Sequence, residues 1–336
     1  MAIQRRQEFR KNENLERLLQ EINSALGPVE ETILRSYEMP KLPVVLIVGC
    51  GRSGSTLMQQ WLANTGQFAY PTNLLSRFYD APYIGAKIQQ LLTDPVYDFN
   101  REFFDIKGAV SFQSDLGKTR GALGPNEFWY FWRRFFPSGE TEFLDENLLR
   151  EVEADRFAAE LAAIESVFQK PFAMKAHSLR FNIPFLSSIL KKVLIIFVRR
   201  HPLYNIQSLL ESREKYSGDR RAWFGAKPRE FDSLKDLTPI EQVAGQVFFT
   251  SRAIREGIDQ IETSRGLQVD YEEFCASPGS VFNKIMDKLA DQGYEVGRDY
   301  AGPTEFGLGN IVRLPESERE LVVHAYRAFS GVELAW

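Results

Sequence analysis

Leu42-Pro43-Val44-Val45-Leu46-Ile47-Val48-Gly49-Cys50-Gly51-Arg52-Ser53-Gly54-Ser55-Thr56-Leu57-Met58 decides the fold of this chain. Its unbroken aliphatic run reads as a buried parallel strand, its glycines as a tight turn, and Ser55-Thr56-Leu57-Met58-Gln59-Gln60-Trp61-Leu62 as the opening of a helix. Strand, glycine loop and helix together make an anion cradle. Glycines let the backbone come close to a phosphate, and the free N–H groups of the first helical turn point at it with the positive end of the helix dipole. The expected fold is therefore α/β, a P-loop-type three-layer arrangement with a central, mainly parallel sheet flanked by helices.

The spacing from Gly49 to Gly54-Ser55-Thr56 satisfies the P-loop pattern G-x-x-x-x-G-K-[ST], except that Ser55 stands in the lysine position. The basic residue has moved into the loop, as Arg52. Without that lysine a nucleoside triphosphatase loses its contact to the β- and γ-phosphates, which argues for a different phosphate-containing donor. A kinase or nucleotidase, or a non-catalytic nucleotide-binding protein, is the alternative.

At 336 residues with 44% hydrophobic side chains the chain can bury a large core. A formal net charge of −4 argues against sequence-independent binding to nucleic acid. Two cysteines far apart, Cys50 and Cys275, form no zinc-site or disulfide spacing and suit a reducing cytoplasm. No apolar stretch reaches signal-peptide or membrane-spanning length, so a cytoplasmic protein without membrane insertion is expected.

Residues 1–40 read as a helical arm, with Gly27-Pro28 breaking it into two helices, packed on the main domain or on a second subunit. A homodimer is therefore open. Residues 41–336 read as one α/β domain, in which Gly66–Pro71 marks a second strand end. Between about 72 and 170 comes a helical insertion rich in aromatic residues, including Phe78, Tyr79, Phe103, Phe104, Phe128, Trp129, Tyr130, Phe131, Trp132, Phe135 and Phe136. It serves either as an acceptor-side cover over the pocket or as an aromatic core. Its segment Gly117–Glu127 is loop chemistry suited to closing over a substrate, and Glu127 reads as a first-turn helix carboxylate.

Phe172-Ala173-Met174-Lys175-Ala176-His177 reads as a short strand that places Lys175 and His177 on one face at the carboxyl edge of the sheet, with His177 as a candidate general base. Lys192–Val198 is the next buried strand. It ends in Arg199-Arg200-His201-Pro202, followed by a helix that carries Ser208 and Arg213. Two arginines at a strand end are costly without an anion, so both suggest a second phosphate. Further helices are expected over 239–262, with Leu267–Tyr271 as a strand after it, then from about Gly279 to Ala290, and from Glu316 to Phe329 with Leu321, Val322 and Tyr326 facing inward.

Taken together, these motifs resemble those of sulfotransferases that use 3′-phosphoadenosine-5′-phosphosulfate (PAPS). Gly49–Thr56 is similar to the family's 5′-phosphosulfate loop, in the arginine-containing form of its bacterial and Golgi-type members. Val198–Ser208 is similar to the 3′-phosphate motif, with Arg200, Pro202 and Ser208 at the family's spacing. Lys175-Ala176-His177 resembles the Lys-Thr-His segment, and Val269-Asp270-Tyr271-Glu272-Glu273-Phe274 the segment whose tyrosine lies near the adenine. Gly307–Arg313 is the nearest counterpart of the C-terminal cofactor segment.

The resemblance implies transfer of a sulfuryl group from PAPS to a hydroxyl or amine of a small-molecule or glycan acceptor, releasing PAP, without a metal. It implies Arg52, Lys175 and His177 as catalytic residues and Gly51, Arg52, Ser53, Gly54, Ser55, Thr56, Arg200, Ser208 and Tyr271 as the cofactor site. Some arginine-type members use a carboxylate as the base instead. Among acceptors, the arginine-type loop favours a carbohydrate.

Overall fold

The computed structural model describes residues 5–334 apart from 98, 99, 101, 104, 105, 107–109, 138 and 296. Phe104 therefore lies outside the described residues. Four strands, β1 (Val44–Val48), β2 (Ala173–Lys175), β3 (Val193–Arg199) and β4 (Gly266–Asp270), form one sheet in the order β2-β1-β3-β4, parallel at every pair. The chain turns to opposite sides of β1 to add β2 and β3, and α/β sheets bind ligands at the carboxyl ends of strands at such a switch point.

Aliphatic residues fill both faces because both are covered. Val44, Leu46 and Val48 share one core with Val193, Ile195, Phe197 and the insertion's aromatic side chains. Val45 and Ile47 share the other with Leu194, Ile196, Val198, Trp61, Phe274 and Phe282. Period-two alternation explains the split, and continuous hydrophobicity is its sequence trace.

The helices are α1 (Glu13–Leu34), α2 (Ser55–Asn64), α3 (Pro82–Thr93), α4 (Trp129–Phe135), α5 (Glu146–Arg150), α6 (Ala154–Phe168), α7 (Ile183–Ser188), α8 (Pro202–Ser217), α9 (Phe231–Leu234), α10 (Pro239–Asp259), α11 (Tyr271–Ala276), α12 (Pro278–Ala290) and α13 (Glu316–Ser330). Helices α4, α6 and α7 cover one face of the sheet, and α2, α11 and α12 the other. Phe128, Phe131, Trp132, Phe135, Phe136 and Phe157 are all buried and mutually packed. Their burial makes this run the core of the insertion, at about 1.5–3 kcal/mol for each large apolar side chain removed from water.

Several expectations are corrected. Helix α1 runs unbroken through Gly27-Pro28. Anchors lie on both sides of the proline: the Asn23 amide donates to the carbonyls of Leu19 and Arg77 (both 2.8 Å), and the Glu30 carboxylate accepts from the backbone N–H groups of Tyr83 (2.6 Å) and Ile84 (3.1 Å). Glu30 thereby caps α3 and docks the arm on its own chain. Gly66–Pro71 contributes only an isolated bridge, Ala69 to Phe172, beside β2; Pro71 has no N–H to continue the ladder. In α13 the inward stripe is Val322, Ala325, Tyr326 and Phe329, and Leu321, one position off it, is 56% exposed.

Candidate functional site

Both glycines that bound the loop after β1 are sterically required. A Cβ on Gly49 would lie 2.5 Å from Ser53 Oγ and 2.7 Å from the carbonyl oxygen of Val198, and one on Gly54 would lie 2.4 Å from the Tyr271 ring. Gly54 also sits at φ +102°, in the left-handed region that glycine enters without strain. It is the N-cap of α2 and has no side chain to satisfy the first-turn N–H groups, which leaves them directed at the loop.

The loop is joined to the end of β3. Arg52 Nε donates to Ser208 Oγ (3.2 Å), Arg200 Nη1 donates to the Arg52 carbonyl (3.2 Å), and Asn205 Nδ2 donates to the Gly51 carbonyl (2.6 Å). The first turns of α8 carry Asn205 and Ser208 because Pro202 starts that helix, where a missing N–H costs nothing. Arg200 also donates to Asn310 Oδ1 (2.8 Å) and to the Gly309 carbonyl (2.7 Å), and its guanidinium stands 5.0 Å from the centroid of the Tyr271 ring. The Tyr271 hydroxyl accepts from the Gly309 N–H (3.3 Å). Thus Gly51, Arg52, Ser53, Gly54, Ser55, Thr56, Arg200, Ser208 and Tyr271, scattered in sequence, converge at the carboxyl edge of β1 and β3.

Arg199 takes no part in this group. The sheet register sets it opposite Asp270, to which it donates from Nε (2.7 Å) and Nη2 (3.0 Å). Alternation along β3 therefore gives one arginine a carboxylate within the sheet and sends the next toward the loop, so the expectation of two anion-facing arginines fails for Arg199. Burial pulls the Arg200 guanidinium below its usual range, and the neighbouring Tyr271 and Glu272 oppose that shift. The Gly307–Arg313 segment crosses the same place. Gln207 accepts from the Arg313 N–H (2.7 Å) and donates to the Ile311 carbonyl (2.9 Å), while Arg313 pairs with Glu211 (2.6 Å).

On the other side of the loop, Lys175 is 1% exposed. Its ammonium donates to Thr56 Oγ1 (2.6 Å) and to Glu127 Oε1 (2.8 Å). The other Glu127 oxygen accepts from the indole N–H of Trp129. Glu127 precedes α4, which starts at Trp129 after Phe128 at φ +56°, so the carboxylate serves an ion pair rather than a first helical turn. Above it lies the tight turn Asp115–Lys118, whose central residues Leu116 (φ +46°) and Gly117 (φ +89°) are both left-handed. A Cβ on Gly117 would come within 2.9 Å of Glu127 Oε1. Arg52 (φ +67°), Leu116 and Phe128, three non-glycine residues in left-handed conformations, thus flank one small region, as strained backbone at functional sites does.

His177 does not continue β2. The strand ends at Lys175, Ala176 turns at ψ 48°, and His177 opens a 3-10 turn, so strict alternation fails at that point. The imidazole is 9% exposed, and its Nδ1 has no hydrogen-bond partner. Burial, with Arg180 and Lys175 close by, holds its pKa well below the ordinary histidine range. It is neutral at pH 7, the form a base must have, but it is also a weakened base.

Sequence reasoning missed Asn205 and the pairing of Glu127 with Lys175, whereas Gly309 and Asn310, which contact Arg200, lie in the Gly307–Arg313 segment it singled out. Glu127 reaches the site from a distant segment by tertiary packing, which leaves no local spacing to read. Asn205 lies inside the recognised Val198–Ser208 stretch, where only its side-chain amide was a signal.

A family model described as the sulfotransferase family matches residues 43–291, well over half of the chain. The chain belongs to the sulfotransferase family. Among solved structures, the fold of this sulfotransferase is similar to that of the sulfotransferase STF1 from Mycobacterium tuberculosis, with a TM-score of 0.51 and 14% identity over 94% of this chain and 82% of that one. The sulfotransferase STF9 from Mycobacterium avium aligns with a TM-score of 0.49 and 14% identity over 90% and 79%. The sulfotransferase domain of a Synechococcus olefin synthase aligns with a TM-score of 0.40 and 20% identity over 78% and 76%. No curated protein matches. Among the described residues no helix is long and apolar enough to cross a membrane, and no group of three His, Cys, Asp or Glu side chains could hold a metal ion.

Proposed function

We propose that this sulfotransferase moves the sulfuryl group of PAPS to a hydroxyl or amine of a small-molecule or glycan acceptor and releases PAP. One observation carries the reading: Arg52, Ser208 and Arg200 are hydrogen-bonded into one unit that joins the glycine loop to the end of β3. A donor with phosphate at both ends of its ribose, 5′ and 3′, has use for that joint. The glycine cradle, Arg52, Ser53, Ser55 and Thr56 suit the 5′-phosphosulfate, Arg200 and Ser208 suit the 3′-phosphate, and Tyr271 suits the adenine side. The residues thus fit PAPS, which supplies the activated sulfur–oxygen bond.

Transfer forms a bond from the acceptor oxygen or nitrogen to sulfur, breaks the bond from sulfur to the bridging oxygen of the 5′-phosphate, and moves one proton from the acceptor to the protein. Positioning and charge stabilisation supply most of the rate. Arg52 and the loop N–H groups would stabilise the charge that grows on the leaving phosphate, and Lys175, in contact with Thr56, would stabilise the charge on the sulfuryl oxygens. His177 is one proton acceptor for the incoming hydroxyl. Direct contact of Glu127 with Lys175 favours a second reading, in which this half-buried carboxylate takes the proton and His177 supports the Lys175 end of β2. A carbohydrate is the first acceptor class to test, and the two free, buried cysteines accord with a reducing cytoplasm.

Calorimetric titration with PAP, against ATP and ADP, tests the donor assignment. Tight PAP binding is expected, with affinity falling by roughly 10- to 100-fold in Arg200→Ala as charge-assisted hydrogen bonds are lost. Binding of ATP with magnesium but not PAP would replace this reading with a kinase.

A further inference from the structure

Arg180 belongs to none of the recognised motifs, yet it is 3% exposed and in contact with three separate parts of the site. Its Nη1 donates to the carbonyl of Gly49, the first residue of the donor loop (2.9 Å). Its Nε donates to the carbonyl of His177 (2.8 Å) and lies 3.1 Å from Glu142 Oε2. Glu142 comes from the far end of the acceptor-side insertion, and its N–H donates to the carbonyl of Lys227 (3.0 Å). A buried cation without its carboxylate is strongly unfavourable, and so is a buried carbonyl without its donor. One planar guanidinium therefore joins the loop after β1, the turn after β2 and the insertion.

We propose that Arg180 is a positioning residue for sulfuryl transfer. It fixes the donor loop against the turn that carries His177, next to Lys175, and through Glu142 it holds both against the insertion that carries Glu127. The proposal rests on the donor-loop reading above. A lysine cannot replace it, because a point charge on a flexible stem does not span two carbonyls and a carboxylate at once.

Two measurements on Arg180→Ala and Arg180→Lys, with Glu142→Gln beside them, test it. In amide hydrogen exchange followed by mass spectrometry, both Arg180 variants should exchange faster by roughly tenfold or more in peptides covering 49–56 and 176–179, while α12 stays at the wild-type rate. In steady-state kinetics and PAP titration they should lose roughly tenfold or more in both PAP affinity and kcat, with millimolar methylguanidinium restoring part of each loss in Arg180→Ala. Glu142→Gln should lower kcat and leave PAP affinity within about threefold of wild type. A folded Arg180→Ala protein with wild-type exchange in both segments overturns the proposal. So does a loss spread equally to α12 and insensitive to methylguanidinium, since that is general destabilisation. If the wild-type protein fails to bind PAP, the donor assignment falls, and the exchange result alone decides the role of Arg180.

Discussion

Around Arg200 the site is made from turns at the ends of neighbouring strands, whereas around Lys175 it depends on a carboxylate delivered by a long insertion. On the donor side, Gly54, Arg52, Arg200, Ser208 and Tyr271 all stand within a few residues of a strand end or a helix start, and the sheet sets their mutual positions. On the acceptor side, Glu127 arrives at Lys175 only because the aromatic core of the insertion seats the start of α4 over β2. The difference separates two tasks. On the function proposed above, holding the donor falls to the sheet edge and directing the chemistry to how the insertion docks on it.

Removing Lys175 is the strongest way to break that division. Lys175→Met should lower kcat by about 10³ through loss of charge stabilisation while changing PAP affinity little; equal losses in both would mean that Lys175 belongs to the donor side. Next in size is the choice of base. Glu127→Gln is expected to reduce kcat by about 10²-fold or more, and His177→Ala by less, each measured in acceptor-saturated assays. The reverse order would return the proton to His177.

A smaller effect concerns the rigidity of the donor side. Gly54→Ala forces a Cβ into the Tyr271 ring at a left-handed position and should lower unfolding free energy by about 1–3 kcal/mol in denaturant titrations. Full stability in that variant would show that the loop and Tyr271 move apart freely.

The smallest effect lies where the arm meets the insertion. Burial raises the Glu30 carboxyl pKa to about 7, with Glu160 adding to the shift and the Tyr83 and Ile84 N–H groups and Arg134 opposing it. The folded state therefore binds this proton more tightly than the unfolded chain does. Its contribution to stability is complete below the ordinary carboxylate range and fades as pH rises through about 7. Glu30→Gln should accordingly raise the melting temperature relative to wild type at about pH 8 and not at about pH 5. A difference independent of pH would show that Glu30 does not titrate there.

What the sequence reveals follows the same division. The strand Val44–Val48, the glycine loop and the Arg200–Ser208 spacing are local patterns, and each is legible because one short stretch carries the whole of it. Arg199 looked equivalent to Arg200 because residue type says nothing of the register that gives it Asp270. Pro28 looked like a break because local propensity knows nothing of Asn23 and Glu30, whose contacts anchor α1 on both sides of it. Glu127 looked like a helix start for a related reason, since its partner Lys175 sits far along the chain in β2 and nothing in between encodes the meeting.

The pairing of Val45 with Ala173 closes the sheet across the whole insertion. During synthesis, at ~5–20 residues per second, β1 leaves the ribosome on the order of ten seconds before β2 exists to pair with it. Through that interval Val-Val-Leu-Ile-Val is an unpaired aliphatic strand of the kind that seeds aggregation. The nascent chain thus carries five exposed aliphatic residues until about half of it has been made, and shielding them for that time should raise the yield of folded enzyme.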